Sequence, residues 1–235
     1  MSAGHEAARV LYPLSVKGID LSITAPILTL WIVGALILGF FVVAVRVPKL
    51  RGLLVFLYDF IVATFGGKIS SSNRLWVSFL LCLFLFVFLN NVSGLVPGNE
   101  SPMSNINGTG SLALMVLVIS QCSGLLAHGL RHFKNLVPSG IPIGILPFMV
   151  PLEIISLLAK PFSLAIRLFA NMFAGHAVLM IFAGLVVSAH PLIKFLPFGG
   201  VLLISVFEVF VSFIQAFIFV YLTSLYVGDA VHADH

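Results

Sequence analysis

Charge is what this chain has least of. Asp, Glu, Lys and Arg make up 9% of its 235 residues, where a water-soluble domain carries about 25%. That scarcity excludes an ordinary soluble domain, and a mean hydropathy of +1.17 points to a bilayer as the solvent. No basic run with interleaved aromatics is present, so no nucleic-acid partner is expected. The formal net charge of +4 says less than the placement of Lys and Arg does. A glycine-rich phosphate loop, a metal-ligand cluster and a Ser/His/Asp arrangement are all missing. Covalent catalysis by the chain alone is therefore not expected, nor is a metal or a cofactor. The only two cysteines, Cys82 and Cys122, lie in apolar runs and read as small core residues. His128 and His132 are four apart at the end of an apolar run and read as an interfacial polar face. The cleavable-leader pattern is missing too: the first apolar run begins near Leu21 and reads as a retained span.

What the chain does have is apolar length. A spanning helix needs about 20 mostly apolar residues. Five segments meet that, at about 21–46, 75–97, 112–131, 147–188 and 196–228. Residues 1–20 read as an external N-terminal tail and 21–235 as a single membrane domain. A shorter stretch, about 50–67, is flanked by Lys49, Arg51 and Lys68 and holds Asp59. It reads as an amphipathic helix on the membrane surface or packed on its neighbours. The last two segments are longer than a span requires. Roughly 40 residues make a helix of ~60 Å against a hydrocarbon thickness of ~30 Å. Tilt, a kink at Pro151 or Pro161, or burial of the excess against protein each accounts for that.

Arg46, Lys49, Arg51, Lys68 and Arg74 crowd the connection between the first two spans, and Arg131 and Lys134 follow the third. The loop from Pro97 to Ser111 holds Glu100 and no Lys or Arg. The positive-inside rule puts the basic connections in the cytoplasm, the N-terminus outside and the C-terminus inside.

Ionisable residues inside a bilayer are functional candidates by default. The fourth span carries Glu153, Lys160, Arg167 and His176, and the fifth carries Glu208. A central Arg costs about 2.5–3.5 kcal/mol on translocon scales. It keeps its proton, so Arg167 is a fixed charge that attracts a carboxylate and repels a passing cation. A structural ion pair is the competing reading. Ser163, Arg167, Ala170, Asn171 and Ala174 share one helical face, small apart from the arginine, where another helix can come close. Lys160 is placed to reach the interface by snorkelling. Glu208, Ser212 and Gln215 share a face of the fifth span, and Tyr226 returns to it. If the last two spans are antiparallel, His176 and Glu208 lie at similar depth, as a proton-exchanging pair or a structural one. Asn90 and Asn91 stand near the external end of the second span.

Residues 157–176, LLAKPFSLAIRLFANMFAGH, resemble the signature of subunit a of the rotary F-type ATP synthases. Gln215 to Phe219 and the Asn91–Pro97 segment NVSGLVP resemble further motifs of that family. The resemblance implies an all-α integral membrane fold: five transmembrane helices, an amphipathic surface helix, and a long, steeply tilted last pair. It implies a membrane stator with two proton half-channels, coupling proton translocation to rotation of a c-subunit ring. Arg167 is then the essential arginine, with Asn171 and Gln215 near it. Asn91, His176, Glu208 and Gln215 match the external half-channel, and Glu153 and Ser163 the cytoplasmic one. Some members carry the acid at the position of His176 and the histidine at that of Glu208. Here the pair is reversed but retained. Implied partners are the c-subunit ring, the b-subunit peripheral stalk, the rest of the F1Fo complex, lipid and protons. The implied location is an energy-transducing membrane, the bacterial inner membrane, with ATP made on a soluble partner. The competing function is a self-contained secondary transporter or ion channel with a charged midplane site. No duplicated polar motif links the two halves of the chain.

Overall fold

A proline opens the first membrane helix. Pro26 sits in the first turn, where its missing N–H costs nothing, and α1 spans Ala25–Arg46. The computed structural model describes residues 10–12, 15–16, 19–20, 22–65, 74–96, 99, 101–129 and 146–231. Ahead of α1, Val10–Tyr12 (β1) pairs antiparallel with Ile23–Thr24 (β4), and Ser15–Val16 (β2) with Ile19–Asp20 (β3). The outer pairing holds Thr24 in an extended backbone at the helix cap, so α1 starts later than its apolar run does.

After α1 come α2 (Pro48–Phe65), α3 (Arg74–Ser93), a 3-10 turn (Pro102–Ser104) and α4 (Ile106–His128). Then follow α5 (Leu146–Ser188), a second 3-10 turn (Pro191–Ile193) and α6 (Phe195–Val231). Five of these, α1, α3, α4, α5 and α6, are long and apolar enough to cross a membrane, as the composition requires. The shorter α2 packs on its neighbours. Its Lys49, Arg51 and Asp59 are exposed, while Ile61 and Phe65 are buried. The Phe65 ring lies 5.4 Å from Phe217 and 6.3 Å from Tyr221, both in α6.

The start of α4 at Ile106 lies ahead of the expected 112. The segment Asn107–Ser111 is polar and reads as loop, but Asn105 caps the helix: its side-chain oxygen accepts from the Asn107 N–H at 2.9 Å. Gly129, at φ 59°, then ends the helix in a conformation that favours glycine. α3 stops at Ser93 because the chain turns back there. Asn99 donates to the Ser93 carbonyl at 2.8 Å and its side-chain oxygen accepts from the Thr29 hydroxyl of α1 at 2.8 Å.

The core is built from α2 to α6, with α3 at its centre contributing Leu80, Leu81, Phe84 and Val87. Phe60, Phe84, Phe88 and Phe213 form a ring cluster with centroids 5.5–6.5 Å apart. Between helices in lipid, close packing and not water exclusion supplies the attraction. The buried Ala113, Ala165 and Ala216 permit it. Cys82 and Cys122 are exposed, which corrects their reading as core residues. A thiol is small and apolar enough to face lipid.

α5 has 43 residues, a length of about 64 Å. Among its described residues only Leu164, Ala165, Leu168 and Met172 are buried. They form a single stripe at three- and four-residue spacing, so most of this helix lies outside the bundle.

Candidate functional site

Three contacts fix α5 and α6 as an antiparallel pair and set their register. A Cβ added at Gly200 would meet the Phe182 ring, and one added at Gly175 would meet the Glu208 carboxylate. Further along, the Lys160 ammonium stands 5.4 Å from the centre of the Tyr226 ring. Interpolating between these contacts, Arg167 is level with the turn of α6 that holds Gln215 and Phe217.

Arg167 points away from the bundle. The stripe of Leu164, Leu168 and Met172 is buried, and on the opposite side Ser163, Arg167, Ala170 and Ala174 are exposed, with Asn171 half-buried. The small-residue face read from spacing is thus the open face of α5. Around the arginine the surface is apolar: Phe162, Ile166 and Phe173 are all exposed. Among the described residues Arg167 has no ion pair and no hydrogen bond. Tyr226 lies within range of its charge. A fixed cation on an apolar, outward surface is costly unless an anion meets it there.

Glu208 lies against Gly175, the neighbour of His176, so the carboxylate and the imidazole share a level of the helix pair. Both are half-buried, and among the described residues no hydrogen bond joins them. That level is about 12 Å along α5 from Arg167. Gln215, half-buried, stands at about the level of the arginine, two turns along α6 from Glu208. Ser212 turns further inward and is buried in the core.

Asn90 and Asn91 are fully buried at the end of α3. The Asn90 amide donates to the Phe86 carbonyl at 2.8 Å, and among the described residues its side-chain oxygen is unpaired. Among the described residues both polar atoms of the Asn91 amide lack a partner. Such groups cost free energy unless satisfied, often by water. The Ser101 hydroxyl donates to the Asn90 carbonyl at 3.0 Å. Space at Gly94 is filled by Ser101 and Met172, so the asparagine end of α3 adjoins α5 one residue past Asn171.

Glu153 is half-buried and is not brought to the arginine. It sits about 21 Å down α5 from Arg167. Ser163 is one turn from Arg167 on the same open face.

Sequence reasoning passed over Ser101 and quoted Gly94 and Gly175 only inside the family-like motifs, giving neither a role, since none of the three has a side-chain charge to draw notice. It also missed the Lys160–Tyr226 stack. The only signal for Gly175 was its place inside the 157–176 motif, one residue before an ionisable group.

The chain matches the family model described as ATP synthase A chain over residues 27–228. It is similar to the ATP synthase subunit a of Rhodospirillum rubrum, 33% identical over 231 residues that cover 96% of each chain. It is 35% identical to that of Beijerinckia indica over 236 residues, covering 96% of this chain and 93% of the relative. It is 37% identical to that of Brucella ovis over 237 residues, covering 95% and 94%. A match of this extent leaves one assignment for this multi-pass membrane protein: it belongs to the ATP synthase A chain family.

Proposed function

We propose that this chain is the membrane stator of a rotary ATP synthase, with Arg167 as the fixed cation facing a carboxylate on each passing subunit of a c-subunit ring. Family membership makes it a proton-translocating Fo subunit of the larger complex. The observation that carries the finer reading is the outward position of Arg167 on the small-residue face of a largely unburied helix. A self-contained transporter would turn such a charge into its own interior. Here the charge is turned toward whatever lies beside α5.

Protons enter from outside past Asn91 and reach His176 and Glu208, with Gln215 and Asn171 leading on to the ring. A carboxylate neutralised there can face lipid and rotate away. When a protonated carboxyl returns to Arg167 from the other side, the fixed positive charge favours its ionisation. The released proton leaves past Ser163 and Glu153 to the cytoplasm. The same charge repels a proton moving straight between the half-channels. Each charge crossing yields about 2.3 kcal/mol per 100 mV. The chain must be held still for this to produce torque, which is the task of a peripheral stalk of b subunits. ATP is made on the soluble part of the complex. The membrane is the bacterial inner membrane, with the N-terminus outside.

Cross-linking tests the ring-facing assignment. In a background lacking Cys82 and Cys122, Ala170→Cys and Ala174→Cys in the assembled complex should form disulfides with cysteines on the outer helix of the ring. Cross-links from the exposed face of α1, and none from these two positions, would reject it.

A further inference from the structure

Lys160 does not simply reach for the interface. Its ammonium stands over the Tyr226 ring at 5.4 Å, and both residues are half-buried. Pro161 follows it inside α5. Proline has no N–H, so the Leu157 carbonyl one turn back loses its regular helical donor. At this point α4, α5 and α6 meet around a cavity of about 20 Å³ lined by Ser120, Gln121, Leu157, Lys160, Pro161 and Tyr226.

That volume holds about one water, and a buried water needs roughly 2–4 polar partners. Val116 and Leu117 also line the cavity, and the residues that can supply polar partners there are Leu157, through the carbonyl freed by proline, Ser120, Lys160 and Tyr226. The Ser120 hydroxyl donates to the Leu117 carbonyl at 2.9 Å, which leaves its oxygen able to accept. A cation over an aromatic face is attracted by the ring quadrupole, most strongly when both are shielded from water. Lys160 and Arg167 are two turns apart on nearly the same side of α5, and Tyr226 lies within range of the Arg167 charge as well. Tyr226 of α6 is therefore in contact with one cation of α5, Lys160, and in the electrostatic reach of the other, Arg167.

We propose that this three-helix junction is a one-water site through which Lys160 and Tyr226 hold α5 and α6 in register beside Arg167. Both are then positioning residues for the arginine. The proposal rests on the role given to Arg167 above.

The test uses the intact complex in inverted membrane vesicles. Proton pumping per ATP hydrolysed is measured at matched levels of assembled complex. Lys160→Met and Tyr226→Leu each remove the stack and should lower that ratio by roughly threefold or more. The double variant should be no worse than the poorer single one. Lys160→Arg keeps a cation over the ring and should restore most of the ratio. Tyr226→Phe keeps the ring and loses one partner of the water, so it should fall between wild type and Tyr226→Leu. Independent, multiplying losses in the double variant would overturn the stack, and wild-type behaviour of Tyr226→Phe would overturn the water site. Losses confined to the amount of assembled complex would reduce both residues to packing. If Lys160→Met fails to assemble, Lys160→Arg and Tyr226→Phe carry the test. Arg167→Ala in the same vesicles separates the two levels: normal pumping there defeats the reading of Arg167, while its loss beside additive Lys160 and Tyr226 effects defeats only the junction.

Discussion

The carboxylate of Glu208 in α6 lies against the backbone of Gly175 in α5. No side chain stands between them, and any Cβ at that glycine would occupy the place of the carboxylate. The contact brings an acid beside the residue preceding His176 and fixes the level at which the two long helices meet. A glycine in mid-helix costs about 1 kcal/mol against alanine, so its presence here is explained by the space it leaves.

Gly175→Ala should therefore assemble at least as well as wild type yet pump protons at least several-fold more slowly, because Glu208 must move. Glu208→Asp is one methylene shorter and should restore part of the flux in the Gly175→Ala background. Vesicle acidification, with assembly measured by immunoblot, checks both. Unimpaired pumping by Gly175→Ala would mean that the position of Glu208 at this level does not matter.

The shared level of His176 and Glu208 also predicts coupled behaviour. Each residue changed alone to a neutral one should impair flux. The exchange His176→Glu with Glu208→His should recover part of it, since both arrangements put one acid and one imidazole at the same depth. Additive losses without recovery would indicate two independent roles.

Asn91 is fully buried, and among the described residues both polar atoms of its amide are unpaired. If water on an entry path satisfies it, Asn91→Leu removes that path without leaving a new orphaned group. The complex should assemble normally and its proton flux should fall about tenfold. Loss of assembly with unchanged flux per complex would make the amide structural.

Topology is checked from two exposed positions. In a background lacking Cys82 and Cys122, Asn107→Cys at the start of α4 should react with an impermeant reagent added outside intact cells. Lys49→Cys in α2 should react only after the membrane is opened. The opposite pattern would invert the orientation.

The membrane architecture was legible because hydropathy and helix length are summed over many residues. Arg167, His176 and Glu208 were legible because charge in an apolar run stands out. The early start of α4 was hidden: Asn107, Gly108 and Thr109 look like loop until the Asn105 cap and the burial of Thr109 are seen. Helical phase grouped Ser163, Arg167, Ala170, Asn171 and Ala174, of which Asn171 is half-buried and the other four are exposed, but whether that face turned inward or outward depended on which helices α5 packs against. The spacing of Glu208, Ser212 and Gln215 likewise gave their side of α6 without revealing that Ser212 enters the core. Contacts between distant segments, such as Gly175 with Glu208 and Lys160 with Tyr226, follow from the register of two helices. That register is a tertiary property, and no local pattern encodes it.

The central claim concerns the fixed charge at Arg167, and one comparison tests it most directly. Arg167→Ala and Arg167→Lys are expressed, the assembled complex is quantified, and ATP-driven proton pumping is measured in the same membranes. Arg167→Ala should assemble fully and show no coupled pumping. Arg167→Lys keeps a charge but loses the planar fork, and a desolvated lysine can release its proton, so it should be a poor substitute. Normal coupled pumping by fully assembled Arg167→Ala would contradict the account.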